Sequence, residues 1–351
     1  MKKPIRLSDV ARAAGTSLGT ASNAFNRPDL VRPELRERIE TTARQLGYSG
    51  PDPIGRLLMG AKAHAIGVVP PGDMPVSHAV GSPYFREFMR GIAEVCDQHD
   101  ASLLVISGAQ ERKTWAIRNA LVDGFILGHV EEAELVFARQ RKAPFVVIDM
   151  DGGPQSHSVR VEGREGARQA AEHLISLGHR RFAIASVLRR PAEAIWHSPA
   201  RSQRRLVGGF PLDDEKLLGY ADALAAAGMS IADAPIIEFP VSPGVEEGAR
   251  TLLDRCPDAT AILAMSDRQA IAILAEAKRR NIDVPKDLSV IGFDNAENAI
   301  VADPPLTTIA QPTLEKGRIA ARILFEGAPP GEVVLPARLV VRASTAPPPA
   351  P

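Results

Sequence analysis

From Ala65 onward the chain repeats one alternation: a short apolar run, a stretch of helical period, then another apolar run. The runs are AIGVVP (65–70), SLLVIS (102–107), GFILG (124–128), PFVVID (144–149), RFAIAS (181–186), TAILAMS (260–266) and LSVIGFD (288–294). They are too continuously apolar for strands with one wet face, so both faces must be covered. Helical stretches near 84–99, 131–141, 163–178, 215–228, 244–255, 267–281 and 313–326 supply the cover and the crossovers that parallel strands require. The expected fold is α/β, with two doubly wound parallel sheets in units of roughly 65–160 and 161–290 and the tail returning to the first. Two such lobes enclose a cleft, and open parallel sheets take ligands outside the carboxyl ends of their strands.

The first sixty residues follow another pattern. Leu7, Val10, Ala11 and Ala14 fall at i, i+3, i+4 and i+7 on one helical face. Gly15 can end that helix and Ser17 can cap the next, in which Leu18, Ala21, Ala24 and Phe25 lie roughly on one side. Two short helices joined by a glycine-containing turn are the sequence form of a helix-turn-helix. A third helix opens at Pro33 and ends at Gly47, with Leu35, Ile39 and Leu46 as its inner stripe. Charge separates this head from the rest. Residues 1–62 hold eleven Lys and Arg against six acids, whereas the remainder holds 31 against 36. A compact basic head suits the neutralisation of phosphates.

Other classes are disfavoured. Cys96 and Cys256 are too few for a disulfide framework, and no run of 18 apolar residues or opening signal segment is present, so a cytoplasmic protein without membrane contact is expected. GxGxxG, GxxxxGK[ST] and HExxH are all missing, which argues against an α/β enzyme with an accessory head. The basic head argues against a solute carrier built on the same two-lobed core. No cofactor is expected and no metal, since His173 and His179, six apart, share no helical face.

The run LSDVARAAGTSLGTASNAFN, with RQLGY closing the third helix, resembles the DNA-binding headpiece of the LacI/GalR family of bacterial transcriptional regulators. The phrases VDGFILG, PFVVIDMD, AAEHLISLGHRRFAI, LLGYADAL, AILAMSDRQAIAIL, DLSVIGFDN and PPLTTIAQP are similar to that family's core signatures, in its order and spacing. The resemblance covers nearly everything except 187–214 and the tail. It implies a headpiece over 1–50, a hinge or linker over 51–63 and a periplasmic-binding-protein-like, effector-binding core over 64–343. The residues STAPPPAP at 344–351 read as a disordered tail.

The implied partners are double-stranded operator DNA of pseudo-palindromic sequence, a second copy of the chain, and a sugar-like or nucleoside-like effector. The second helix would lie in the major groove, with Leu18, Gly19 and Asn23 near base edges and Ser17, Thr20, Ser22 and Asn26 completing the DNA-facing set. Asn23 stands where relatives usually have Arg and would favour adenine over guanine. Arg6 stands where they place a Thr cap, so the first helix is expected to be less well capped or to begin at Ser8. In the hinge, Leu58, or Leu57 one residue earlier, would wedge into the minor groove while Arg56 meets phosphate.

For the effector, the resemblance carries over Asp149, Ser266 or Asp267, Asp294 and Gln311, all at strand ends. Carboxylates there can each accept two ligand hydroxyls. Asp267 can equally serve as a helix N-cap and Asp294 as a turn former. Lys216 replaces an Arg that forks onto sugar hydroxyls, and Val241 replaces an aromatic platform. Tyr84 and Phe85 offer rings for stacking, and Ser82 stands where a more polar group is usual. The basic stretch 187–214 reads either as a solvated loop or as a source of cations for an anionic effector.

Overall fold

In the computed structural model the described residues are 5–50, 62–71, 74–108, 110–128, 130–141, 143–153, 155–188, 193–198 and 210–350. They form two compact units, divided between Ala63 and His64.

The first unit holds α1 (Leu7–Ala13), α2 (Leu18–Asn26) and α3 (Pro33–Leu46) around Val10, Ala11, Ala21, Ala24, Ile39 and Ala43. Helix α1 starts at Leu7, with Arg6 in the cap position giving no side-chain bond. The cap is inverted: the Asp9 carboxylate accepts the Arg6 N–H at 3.0 Å. Gly47 closes α3 in the left-handed conformation, φ 76°. The chain then turns back, and Tyr48 meets Phe25 edge to face at 5.7 Å. Two expectations need correction. Leu46 is 38% exposed and Ala43 takes its place on the inner stripe, while Leu18, at the first turn of α2, is 54% exposed.

The second unit has two sheets. The first contains β1 (Ala65–Val69), β2 (Ser102–Val105), β3 (Gly124–Leu127), β4 (Phe145–Ile148), β5 (His157–Val161) and β12 (Gly331–Leu335), in the order β12-β5-β4-β3-β1-β2. All its pairings are parallel. The second contains β6 (Phe182–Val187), β7 (Ile195–His197), β8 (Ile236–Phe239), β9 (Ala261–Ala264), β10 (Ser289–Asp294), β11 (Thr307–Ala310) and β13 (Arg338–Val340), in the order β13-β11-β10-β9-β6-β8-β7. Its two edge strands run antiparallel. All seven apolar runs are strands, but β2 corrects the expectation of full burial: it lies at the sheet edge, and Leu104 is 42% exposed. The sequence reading passed over β5, β7, β8, β12 and β13 and left 307–310 as a return segment.

The helices of this unit are α4 (Val76–Gly81), α5 (Pro83–Gln98), α6 (Gln110–Asn119), α7 (Glu132–Gln140), α8 (Gly163–Ser176), α9 (Pro211–Ala226), α10 (Val245–Arg255), α11 (Asp267–Arg279), α12 (Glu297–Ile300) and α13 (Thr313–Glu326). Helices α5 and α13 pack against each other over the first sheet at very short range. A Cβ on Gly317 would run into the Phe88 carbonyl, and one on Gly91 into that of Leu314. This approach carries Lys316 of α13 beside Tyr84 of α5.

The chain crosses between the lobes three times: from β5 into α8, from β11 into α13, and from β12 into β13. The first and third crossings run side by side, the Glu162 N–H donating to the Leu335 carbonyl at 2.9 Å. The tail is not the disordered segment its composition suggests. Ser344 is fully buried, its hydroxyl donating to Val290 O at 2.6 Å and accepting from Thr307 N at 2.8 Å. His173 bonds Thr345, and His179 contacts Thr260, Ser289 and the Ala346 carbonyl at 2.8–3.1 Å, so both histidines are fasteners for the tail. Among the described residues there is no cluster of three or more metal-ligating side chains and no helix long and apolar enough to cross a membrane.

Candidate functional site

Two places carry chemistry. In the headpiece, Ser17 caps α2 by accepting the Thr20 N–H at 3.0 Å, and its hydroxyl lies 2.8 Å from that of Thr20. Ala21 and Ala24 are buried, so Leu18, Ser22 and Asn26 at i, i+4 and i+8, flanked by Gly19 and Asn23, form the outer face. The Asn26 amide donates to Ser22 at 3.1 Å. The result is an exposed helix start with its cap in place, a row of short polar side chains and no acid in the first turn. Such a surface can approach a phosphate backbone and present polar groups to base edges. Arg56, Leu57 and Leu58 lie outside the described residues.

In the second unit, Tyr84, Phe85, Asp149, Lys216, Ser266, Asp267, Asp294 and Gln311 all line one cavity between the carboxyl ends of the two sheets, about 980 Å³ with its solvent mouth. Asp149 follows β4 in the left-handed region, φ 54°. Its carboxylate accepts the Val161 N–H at 3.1 Å and faces a lysine the sequence reading missed: Lys316, fully buried, whose Nζ lies 3.0 and 2.8 Å from the two Asp149 oxygens. Lys316 also donates to Gln311 Oε1 at 2.7 Å, and Gln311 Nε2 donates to Asp294 Oδ1 at 2.6 Å. An unbroken polar chain, Asp149–Lys316–Gln311–Asp294, thus runs from the first lobe to the second.

Electrostatics fit this wiring. Burial alone would lower the Lys316 pKa, but the Asp149 charge and Tyr84 outweigh it and the net shift is upward. Tyr84 is pushed up to about 12, mainly by burial, with Lys316 opposing. Lys216 is also buried, its Nζ donating to the Met265 carbonyl at 2.9 Å and lying 4.0 Å from the centre of the Phe293 ring.

Asp267 is not the helix cap. Ser266 caps α11, accepting the Gln269 N–H at 3.2 Å. Asp267 instead binds the Ala296 N–H at 2.7 Å and the Thr308 hydroxyl, joining the starts of α11 and α12; burial and then the Asp294 charge raise its pKa. Both of its oxygens are committed to the fold, as are both of Asp149, and Asp294 and Gln311 line the cavity beside them. Gln269, also missed, donates to Ser186 O and Phe239 O at 2.8 and 3.0 Å and holds two strand ends at the cavity wall. Phe85 is 2% exposed and serves as floor rather than as a free stacking ring. Val241 lines the cavity, and Ser82, also at the wall, caps α5 by accepting the Phe85 N–H at 3.4 Å.

Residues 6–50 match the family model of bacterial regulatory proteins of the lacI family, and residues 171–345 match that of the periplasmic binding protein-like domain. An HTH-type transcriptional regulator of Mycobacterium tuberculosis is 32% identical over 98% of this chain and 97% of its own. The HTH-type transcriptional repressor CytR of Escherichia coli is 31% identical over 97% and 96%. Among solved structures, the transcriptional regulator CelR in complex with cellobiose is 27% identical, with a TM-score of 0.65 over 97% of this chain and all of its own. The lac repressor dimer bound to operator and an anti-inducer, 24% identical, shares the fold with a TM-score of 0.76 over 98% and 100%.

Proposed function

The chain belongs to the LacI family of bacterial regulatory proteins, DNA-binding transcriptional regulators rather than enzymes, and from that premise we propose that it is a cytoplasmic repressor, homodimeric on a pseudo-palindromic operator and controlled by a sugar-like or nucleoside-like molecule in the interlobe cavity. The observation that carries this reading is the polar chain from Asp149 to Asp294. It ties both lobes to one cavity, so a ligand that hydrogen-bonds Asp149, Gln311 or Asp294 has different partners in different lobe arrangements. Differential contact of that kind is what shifts a conformational population, and DNA affinity changes by the same linkage. Ile300 and Val301, adjacent and 56% and 79% exposed, are apolar surface that a second copy would cover. A two-fold dimer with two copies of α2 would read two half-sites about one helical turn or a multiple apart.

The test is selection of bound sequences from a random duplex pool by the full-length chain at fixed salt, with and without cell metabolites. A pseudo-palindrome is expected. Asn23→Ala should relax preference at one symmetric pair of positions, at a cost of about 1–3 kcal/mol. Absence of enrichment under both conditions would overturn the reading.

A further inference from the structure

Around the interlobe cavity the buried charges are accounted for. Lys316 is neutralised by Asp149 and saturated by Gln311, and Lys216 faces the Met265 carbonyl and the Phe293 ring. Both oxygens of Asp267 are occupied by Ala296 N–H and the Thr308 hydroxyl. One lining cation is different. Arg268, in the first turn of α11, is partly exposed at the cavity wall and, among the described residues, has neither a hydrogen-bond nor an ion-pair partner.

Its neighbour is equally incomplete. The Asp267–Ala296 bond draws the start of α12 against the start of α11, and α12 carries Asn298, another lining residue, whose side-chain Oδ1 is buried without a partner. The amide oxygen and nitrogen exchange by a simple flip, so this side chain can present either a donor or an acceptor to the cavity. Behind both stands the positive end of the thirteen-residue α11. An unpartnered guanidinium, an unsatisfied amide and a helix N-terminus therefore line the same cavity as Asp294 and Gln311.

We infer that the effector is a sugar- or nucleoside-type molecule bearing an anionic group, phosphate or carboxylate, which Arg268 holds while its hydroxyls meet Asp294 and Gln311. This rests on the cleft reading proposed above and adds the charge of the ligand. Arg268 is the specificity-determining residue: its planar fork matches either anion in two parallel hydrogen bonds. A neutral ligand would leave it unanswered.

Calorimetric titration of the full-length chain with matched pairs tests this: ribose and ribose 5-phosphate, adenosine and adenosine monophosphate, glucose and glucuronate, with inorganic phosphate alone as reference. In at least one pair the anionic member should bind tenfold or more tighter, the phosphate or carboxylate arm identifying which anion is used. Arg268→Gln should reduce that ratio below threefold and Arg268→Lys should retain part of it, with unchanged circular dichroism in both variants. Neutral members binding as tightly as anionic ones, or a preference that survives in Arg268→Gln, would overturn the charge assignment and leave the cleft reading standing. Absence of binding in every pair would overturn both.

Discussion

Replacing Lys316 with methionine keeps the stem of the side chain and deletes the ammonium, leaving Asp149 as a 5%-exposed carboxylate whose remaining partner among the described residues is the Val161 N–H at 3.1 Å. At the observed 2.8 Å separation and an effective dielectric near 20, the lost attraction is roughly 6 kcal/mol before desolvation is counted. Removing one member of a buried pair costs about 3–5 kcal/mol in practice, because the other charge is stranded. Urea denaturation followed by circular dichroism should show that loss for Lys316→Met. Combining it with Asp149→Asn removes the stranded charge, so the double variant should recover at least about 2 kcal/mol of it, a coupling typical of contacting residues. A single variant costing under about 1 kcal/mol, or a double variant no better than the single, would refute the pairing as the source of stability.

Two further outcomes are expected. Glu276 accepts from Arg279 and Arg280, which hold its pKa at about 2 against an ordinary 4.5; a depressed carboxylate stabilises the fold above its unfolded pKa and loses that contribution as pH falls, so Glu276→Gln should flatten the decline in melting temperature between pH 4.5 and 2, and an unchanged slope would rule the cluster out. Leu58→Ala should weaken specific operator binding by about tenfold or more while leaving ligand binding intact, as loss of a minor-groove wedge would, and an unaltered operator titration would remove Leu58 from the hinge.

The lobes were legible because parallel strands buried on both faces leave continuous apolar runs, and the cavity residues because the family resemblance carries them over position by position. Strands that break the run were not. His157 and Arg160 interrupt β5, and β12 is largely exposed. Helix α6, QERKTWAIRN, has too few apolar residues to show a stripe. Lys316 carried a usable signal: it falls with Thr313, Gly317, Ala320 and Ala321 on the buried stripe of α13, where a lysine must find an acid. Which acid depends on a contact 167 residues away in sequence. The tail misled for a related reason. Composition sees STAPPPAP, but the grip of Ser344 and the two histidines is tertiary.

The three interlobe crossings have a mechanical consequence. Three short tethers, two of them bonded side by side, restrict one lobe to swinging about a narrow pivot axis rather than tumbling freely against the other. Gln311 sits on one tether, and the Val161 amide that holds Asp149 sits at the root of another. A molecule touching these residues would push at the axis itself, where a displacement of a fraction of an ångström becomes a wide arc at the outer ends of the lobes.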